Sequence, residues 1–265
     1  MPDHALTARP AVRYAAAKVP EITVLFWVIK ILTTGMGEAA SDYLGNTNLV
    51  LAGVVGVGGL AATLRWQLHT TRYQAAAYWS AVAMVAVFGT MAADLLHVIL
   101  GLSYIVTTPF YAGVLTVILG CWYRSEGTLS IHSITTPRRE RFYWATVLTS
   151  FALGTAAGDL TAATLRLGFL DSGLLFGALI LVPLVGWRLG LDEVTAFWAA
   201  YILTRPLGAS FADWFGKPPS LTGLGDGDGT VTWTTLAAIV VLVGWVVVHG
   251  HGVQQPGEDW ELERV

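Results

Sequence analysis

Four apolar segments of the chain share one spacing of residues. Each begins with Phe or Tyr followed by Trp, has Gly ten positions after that Trp and has Asp fifteen positions after it. Because four such copies do not readily arise by chance, we interpret each as one patterned helix followed by a plain apolar helix, a hairpin used four times. The Trp, Gly and Asp positions are Trp27, Gly37, Asp42; Trp79, Gly89, Asp94; Trp144, Gly154, Asp159; and Trp198, Gly208, Asp213.

The composition indicates that the solvent of these helices is a lipid bilayer. Of the 265 residues, 54% are hydrophobic and only 12% are charged, with a mean hydropathy of +0.60, which is too apolar for a typical soluble domain. A net charge of −3 argues against nucleic acid as a partner. Eight apolar runs are long enough to cross about 30 Å of hydrocarbon, at approximately 21–43, 48–66, 76–101, 104–123, 142–165, 170–188, 194–215 and 231–249.

Lys and Arg residues are concentrated on the side of the two termini, which predicts that both termini are cytoplasmic. Residues 1–20 are polar and basic and do not resemble a signal peptide. We therefore predict a cytoplasmic segment 1–20, a single membrane domain 21–250 and a cytoplasmic tail 251–265. The repeats fall at about 21–66, 76–123, 142–188 and 194–249. The predicted fold class is an all-α integral membrane protein with eight transmembrane helices as four parallel repeats, pseudo-fourfold or nested twofold, with the patterned helices inside.

The segment KVPEITVLFWVIKILTTGMGEAASDYL and the linker LSIHSITTPRRERFYW are typical of a known family. The chain resembles the uncharacterised bacterial integral membrane proteins that are built of four tandem two-helix repeats, a repeat of unknown function with a characteristic Trp. The resemblance covers roughly residues 18–250 and implies this architecture and a location in the bacterial inner membrane. It implies no agreed activity and no catalytic residue.

Oxygen-bearing side chains form a stripe that includes the repeated Asp residues. The position one helical turn before each Asp holds Glu38, Thr90, Thr155 or Ala209, on the same helix face. His97 follows Asp94 by three positions and is expected to meet it. Since acids inside a membrane are costly and usually line a pathway, we interpret Glu38, Asp42, Asp94, His97, Asp159, Asp213, Thr90 and Thr155 as a cation-binding or proton-coupling layer, with Glu38, Asp94 and Asp159 as candidate metal ligands. The alternative is structural: each Asp caps a helix or bonds a neighbouring helix end, with Asp42 and Asp213 the most interfacial.

Two basic residues break the fourfold equivalence. Lys30 and Arg205 lie well inside their spans, and Pro206 directly follows Arg205. A proline tends to kink or unwind a helix, so one interpretation is a broken helix that gates or forms a substrate site. The other is that Lys30 and Arg205 balance the acids as internal ion pairs. Five acids against two bases leave an excess of negative charge, which favours a cation or a proton.

The glycine and tryptophan positions of the repeat have simpler interpretations. Small residues allow membrane helices to approach closely, so we expect the glycines to serve packing. The Trp side chains are expected either to anchor the helices at the cytoplasmic interface or to pack between repeats.

The sequence contains no hydrolase, metalloprotease or phosphate-loop motif, so we expect no enzyme activity and no cofactor other than a transported cation or proton. Cys121 is the only cysteine, which excludes an intrachain disulfide. The leading hypothesis is a transporter or channel for a small cation, preferentially a divalent metal such as Mn²⁺, with possible proton coupling. The alternatives are an integral-membrane enzyme or binding protein for a lipid or apolar small molecule, and a membrane scaffold; oligomerisation is compatible with each.

Overall fold

The computed structural model describes residues 17–254, so most of the predicted segments 1–20 and 251–265 lies outside the described residues. The described part contains eight long helices and no strand, which confirms the predicted all-α fold. Six of these helices are long and apolar enough to cross a membrane, and the chain is a multi-pass membrane protein. The helices are α1 (Val24–Thr47), α2 (Leu49–His69), α3 (Ala75–Asp94), α4 (Tyr104–Glu126), α5 (Pro137–Asp159), α6 (Gly168–Arg188), α7 (Glu193–Gly216) and α8 (Asp228–His249).

The two helices outside that group of six, α5 and α7, are the more polar members of the inner set. Helix α5 begins with the charged stretch PRRER, and α7 carries Arg205 and Asp213, both buried inside the protein. Average hydropathy does not distinguish a polar residue that faces lipid from one that faces a protein interior. All eight predicted spans therefore exist as helices, but α5 and α7 are less apolar than a membrane-spanning helix is expected to be from composition alone.

Short polar side chains fix the ends of several helices. The Thr23 hydroxyl accepts from the backbone N–H of Phe26 at 3.2 Å and begins α1. Asn48 lies between α1 and α2, and its side-chain oxygen accepts from two backbone N–H groups of α2, each at 3.0 Å. Such caps satisfy donors that a helix start leaves unpaired. A single residue thus closes the first hairpin.

The patterned helices α1, α3, α5 and α7 form a closed inner ring in which each packs on the next and α7 packs on α1. The repeated Gly of each helix lies against the residue seven positions after the Trp of the following repeat, and a methyl group added at any of the four would overlap that neighbour. This finding agrees with the packing interpretation of the glycines. The contacts are Gly37 on Ala86, Gly89 on Phe151, Gly154 on Arg205 and Gly208 on Thr34.

The plain helices surround this ring. Helix α2 packs mainly on α3, α4 on α5, α6 on α7 and α8 on α1, so each outer helix covers the inner helix of the next repeat. Their outward side chains, for example Val50, Val182 and Val248, are largely exposed. Apolar exposure on this scale marks a surface that faces lipid.

The repeated Trp residues pack between neighbouring repeats at one end of the ring, here named the Trp end; the opposite end, which carries Asp42, Asp94, Asp159 and Asp213, is named the Asp end. Each ring centre lies 5.7–6.2 Å from that of the aromatic residue preceding the Trp of the adjacent repeat. Trp79, Trp144 and Trp198 are buried. Of the two interpretations of these residues, the structure therefore shows packing between repeats. The pairs are Phe26 with Trp79, Tyr78 with Trp144, Tyr143 with Trp198 and Phe197 with Trp27.

The four repeats differ at the Asp end. Helices α3 and α5 end at Asp94 and Asp159, each followed by a π-helical turn, Leu95–Ile99 and Leu160–Thr164. Helices α1 and α7 instead continue in α-helical form beyond Asp42 and Asp213. The ring is therefore fourfold at its centre, but repeats one and four share one ending while repeats two and three share another.

Candidate cation site

Four layers of side chains lie on the inner faces of α1, α3, α5 and α7. They occupy positions 3, 7, 11 and 15 after each Trp, a spacing that keeps residues on one face of a helix. All side chains of the first three layers are buried. In order from the Trp end, the layers are Lys30, Val82, Val147, Tyr201; Thr34, Ala86, Phe151, Arg205; Glu38, Thr90, Thr155, Ala209; and Asp42, Asp94, Asp159, Asp213.

The centre of the ring is held by Arg205, whose side chain is fully buried. Its Nη2 donates to Glu38 Oε2 at 2.7 Å, to the Thr155 hydroxyl at 2.7 Å and to the Thr90 hydroxyl. Its Nη1 donates to the backbone oxygen of Thr34 at 3.2 Å. The two threonine hydroxyls in turn donate to Glu38 Oε2 at 3.2 and 3.1 Å. All four inner helices therefore meet at one ion pair, which is the charge-balancing arrangement considered for Arg205.

A second cluster lies at the Asp end and is centred on Lys217, just after α7. Its Nζ donates to Asp42 and, at 3.2 Å, to Asp228, and lies 3.9 Å from Asp213 Oδ1. Burial acts to lower the pKa of Lys217, but the carboxylates of Asp42, Asp213 and Asp228 outweigh it and raise the pKa above the ordinary lysine value. Lys217 is therefore a firmly protonated ammonium group among acids.

Three carboxylates converge between these two clusters. One oxygen from each of Glu38, Asp42 and Asp213 lies within 4.8 Å of the other two. The Asp213 side chain is only 6% exposed, and its Oδ1 has no hydrogen-bond partner within the described residues. Glu38 Oε2 is paired with Arg205, and Asp42 Oδ2 is paired with Lys217. Asp213 Oδ1, in contrast, is an acceptor without a hydrogen bond. The arrangement can bind a small cation through hard oxygen ligands.

The predicted metal ligands differ from this group in two members. Asp94 and Asp159 are half-buried on the opposite side of the ring and form no ion pair in the described part of the chain. Asp42 and Asp213, expected to be the most interfacial, instead join Glu38. The physical reason is that α1 and α7 are adjacent in the ring and both remain helical past this level.

The expected contact between His97 and Asp94 is not formed. The Nδ1 of His97 lies 2.8 Å from the carbonyl oxygen of Leu102, and its ring stacks on Tyr104 at 4.0 Å. The π turn after Asp94 changes the residue periodicity, so a position three further on no longer shares the face.

Of the two interpretations of Arg205 and Pro206, the broken helix is not found, because α7 continues through Pro206 to Gly216. A methyl group added at Gly154 of α5 would crowd the Pro206 ring and the base of the Arg205 side chain. Helix α7 is thus closely packed against α5 at the position where the proline removes a backbone donor.

Lys217 and Asp228 were not predicted as parts of the site. Lys217 directly follows α7 and Asp228 begins α8, and both side chains lie at the Asp end. The spacing of four residues between Asp213 and Lys217 is the signal that could have revealed the lysine, since such pairs meet on a helix. No comparable local signal marks Asp228.

Comparison with known families agrees with the repeat architecture. Residues 77–128, 142–189 and 196–250, more than half of the chain, match the family model described as Repeat of Unknown Function (DUF347). The chain belongs to this family. The three DUF347 matches follow the second, third and fourth hairpins, and α1 and α2 form a hairpin of the same kind. No curated protein and no solved structure matches the chain. A function must therefore be argued from the geometry.

Proposed function

We propose that the protein transports a small cation across the membrane, preferentially a divalent metal ion such as Mn²⁺. The observation that carries this proposal is the convergence of Glu38, Asp42 and Asp213, with one oxygen each within 4.8 Å, inside a ring of membrane helices. Carboxylates are the preferred ligands of Mn²⁺, Mg²⁺ and Ca²⁺. Acidic groups at this depth in a membrane protein usually mark an ion pathway.

The charge balance supports a cationic substrate. At the Asp end, Arg205 pairs with Glu38, and Lys217 bridges Asp42 and Asp228. Asp213 has a carboxylate oxygen without a hydrogen bond, and Asp94 and Asp159 add two further acids at the same level. The excess negative charge favours entry of a cation over an anion.

Lys217 acts in this proposal as a tethered cation that a substrate must displace. Its Nζ contacts Asp42 and lies 3.9 Å from Asp213, so a metal ion that binds both acids competes with the ammonium group for the same oxygens. Lys217 belongs to the connection after α7, where it can withdraw without disturbing the ring. Displacement couples substrate binding to movement at the Asp end.

The proposed orientation places the Trp end and both termini in the cytoplasm and the Asp end outside, in a bacterial inner membrane. The concentration of Arg and Lys in the connections at the Trp end supports this orientation. The cation site then faces the external side. Because the sequence has no phosphate-loop motif, we propose the proton gradient as the energy source.

The test is uptake of Mn²⁺, Mg²⁺ and Ca²⁺ into proteoliposomes that contain a metal indicator. Asp213→Asn is expected to abolish saturable uptake, because it removes a ligand charge while keeping the side-chain volume. Asp226→Asn, an exposed acid of the neighbouring loop, is the matched control and should retain wild-type uptake. An inert wild-type protein, or equal uptake by Asp213→Asn and wild type, would contradict the proposal.

A separate cavity favours a second candidate function, the binding of an apolar small molecule or lipid. A cavity of about 530 Å³ lies between α1, α6 and α7 and is lined mostly by apolar side chains, including Trp27, Trp187 and Phe197. Polar lining residues such as His132 and Glu193 lie toward the Trp end. Its size falls within the usual range for small-molecule sites, about 300–1,000 Å³.

A photoactivatable apolar probe distinguishes this second candidate from cation transport. Ala200 lines the cavity, so Ala200→Trp should fill it and abolish labelling, while Ala61→Trp on the exposed face of α2 should not. Asp213→Asn should label normally. Equal labelling of the Ala200→Trp and wild-type proteins would exclude the cavity as the probe site.

A further inference from the structure

Lys30 is a buried amine without a hydrogen-bond acceptor. The residue is 1% exposed, and its Nζ has no hydrogen-bond partner in the part of the chain that the structure describes. The nitrogen lies over two aromatic rings, 4.3 Å from the centre of Phe151 and 4.2 Å from the centre of Tyr201. An ionisable group inside a membrane without a partner calls for a functional explanation.

The groups around Lys30 come from the other three inner helices. Helix α7 contributes Tyr201 and the guanidinium of Arg205, whose Cζ lies 5.1 Å from the same Phe151 ring. Helix α5 contributes Phe151 itself, and α3 contributes Val82 at the level of Lys30. No carboxylate within residues 17–254 forms an ion pair with Lys30.

These surroundings act in opposite directions on the two forms of the amine. The faces of two aromatic rings favour the ammonium form. Burial without a counter-ion, together with the nearby positive charge of Arg205, favours the neutral amine. A proton carrier requires both forms of the amine, so the two aromatic rings that face the unpaired nitrogen are the geometric reason to consider Lys30 for this role.

Hydrogen-bonding groups lie on both sides of Lys30 along the ring. One helical turn toward the Trp end, the hydroxyls of Tyr78 and Tyr143 are paired at 2.5 Å. Toward the Asp end lies the ion pair of Arg205 with Glu38. Lys30 thus separates a cluster of hydroxyls from the network that adjoins the candidate cation site.

We propose that Lys30 carries the proton that couples cation movement to the proton gradient, an inference that rests on the proposed transport function. When a cation enters the Asp end, the added positive charge acts through the Arg205–Glu38 pair and favours release of a proton from Lys30. The N–H bond breaks, the electron pair stays on Nζ, and the proton passes by way of the Tyr143 and Tyr78 hydroxyls to water at the Trp end. Lys30 regains a proton from the Asp end, so cation and proton move in the same direction, toward the Trp end.

The first test measures protonation directly and does not depend on transport. The chain has three lysines, Lys18, Lys30 and Lys217, and Lys18 and Lys217 are in ion pairs with Glu140 and Asp42. Protein labelled with ¹⁵N-lysine in lipid vesicles therefore gives three Nζ signals. The signal that Lys30→Arg removes is expected to change from amine to ammonium between about pH 9 and pH 5. One unchanged form over this range would overturn the proposal.

The second test follows proton and Mn²⁺ movement together in proteoliposomes. Wild type is expected to carry protons into the compartment that gains Mn²⁺, and Lys30→Arg and Lys30→Met are expected to lose this proton movement, since neither side chain gains and releases a proton near neutral pH. Lys18→Arg, the same substitution at a lysine that is paired with Glu140 outside the inner ring, is the matched control and should stay coupled.

The outcomes separate this inference from the proposed function. Mn²⁺ uptake without proton movement in wild type, or full coupling in Lys30→Arg, would overturn the role of Lys30 and leave transport standing. Absence of Mn²⁺ uptake in wild type would refute transport and, with it, the coupling role. The lysine signals would then report only whether Lys30 exchanges a proton.

Discussion

Replacing Glu38 with Gln is expected to lower the free energy of unfolding by about 3–5 kcal/mol. Glu38 supplies the negative charge that Arg205 contacts at 2.7 Å, and the arginine side chain is fully buried. The substitution keeps the size of the side chain and an oxygen acceptor for Arg205. It therefore removes the counter-charge and leaves a cation inside the ring.

The magnitude follows from the geometry. Two unit charges at 2.7 Å attract by about 6 kcal/mol at an effective dielectric constant of about 20. Gln keeps part of this stabilisation as a neutral hydrogen bond, worth about 1 kcal/mol, and the hydroxyls of Thr90 and Thr155 remain. Breaking one member of a buried pair has a measured cost of the same size, about 3–5 kcal/mol.

The assay is reversible unfolding of the protein in mixed lipid–detergent micelles by SDS, followed by helical circular dichroism. Glu21→Gln, an exposed acid outside the ring, is the matched control and should stay within about 0.5 kcal/mol of wild type. The double variant Glu38→Gln/Arg205→Gln should be less destabilised than the sum of the single variants by about 1–3 kcal/mol. A loss below about 1 kcal/mol in Glu38→Gln, or strict additivity, would refute the central role assigned to this pair.

Three further outcomes are open to the same unfolding assay. Gly154→Ala should lower the free energy of unfolding by about 1–3 kcal/mol because the added methyl group meets the side chain of Arg205. Gly120→Ala, at a helix position with open space, should raise it by up to about 1 kcal/mol. A similar effect of the two substitutions would contradict the ring contact. Because the pKa of Lys217 is raised in the folded protein, its stabilisation is complete below the ordinary lysine value and is lost only as the pH rises through the folded pKa. Lys217→Met should therefore be less stable than wild type at every pH from about 6 to 9, and equal stability of the two proteins within that range would disprove the assignment. Tyr143→Phe should lower the free energy of unfolding by about 0.5–1.5 kcal/mol, because it removes one member of a buried hydroxyl pair. No measurable change would show that this pair does not stabilise the fold.

The repeat could be predicted from the sequence because its spacing reflects a helix face. Positions 10 and 15 after each Trp identified the Gly contacts and the Asp end, and the layer one turn before the Asp identified Glu38, Thr90 and Thr155. Helical periodicity is a local property, so it is visible in a single chain. The sequence also placed Lys30 and Arg205 well inside their spans.

What the sequence could not show depends on contacts between distant segments or on small changes of backbone. Lys217 and Asp42 are far apart in the chain and meet only because α7 closes on α1. The face of His97 depends on a π turn that no sequence pattern marked. The close packing of α7 at Pro206 against Gly154 joins two segments that are distant in the chain. Such features are set by tertiary structure, which overrides local propensity.

The offset packing of the outer helices has a consequence for biosynthesis. Because α8 covers α1 and is synthesised after α2 to α7, α1 lacks this cover while those helices are made; α1 carries both Lys30 and Glu38. During synthesis these two ionisable groups remain in the translocation machinery or the bilayer until α7 supplies Arg205 and α8 packs on α1. The inner helices α3, α5 and α7 differ in this respect, because the outer helix that covers each of them, α2, α4 or α6, is synthesised before it. Synthesis of α8 is thus also the step that covers α1.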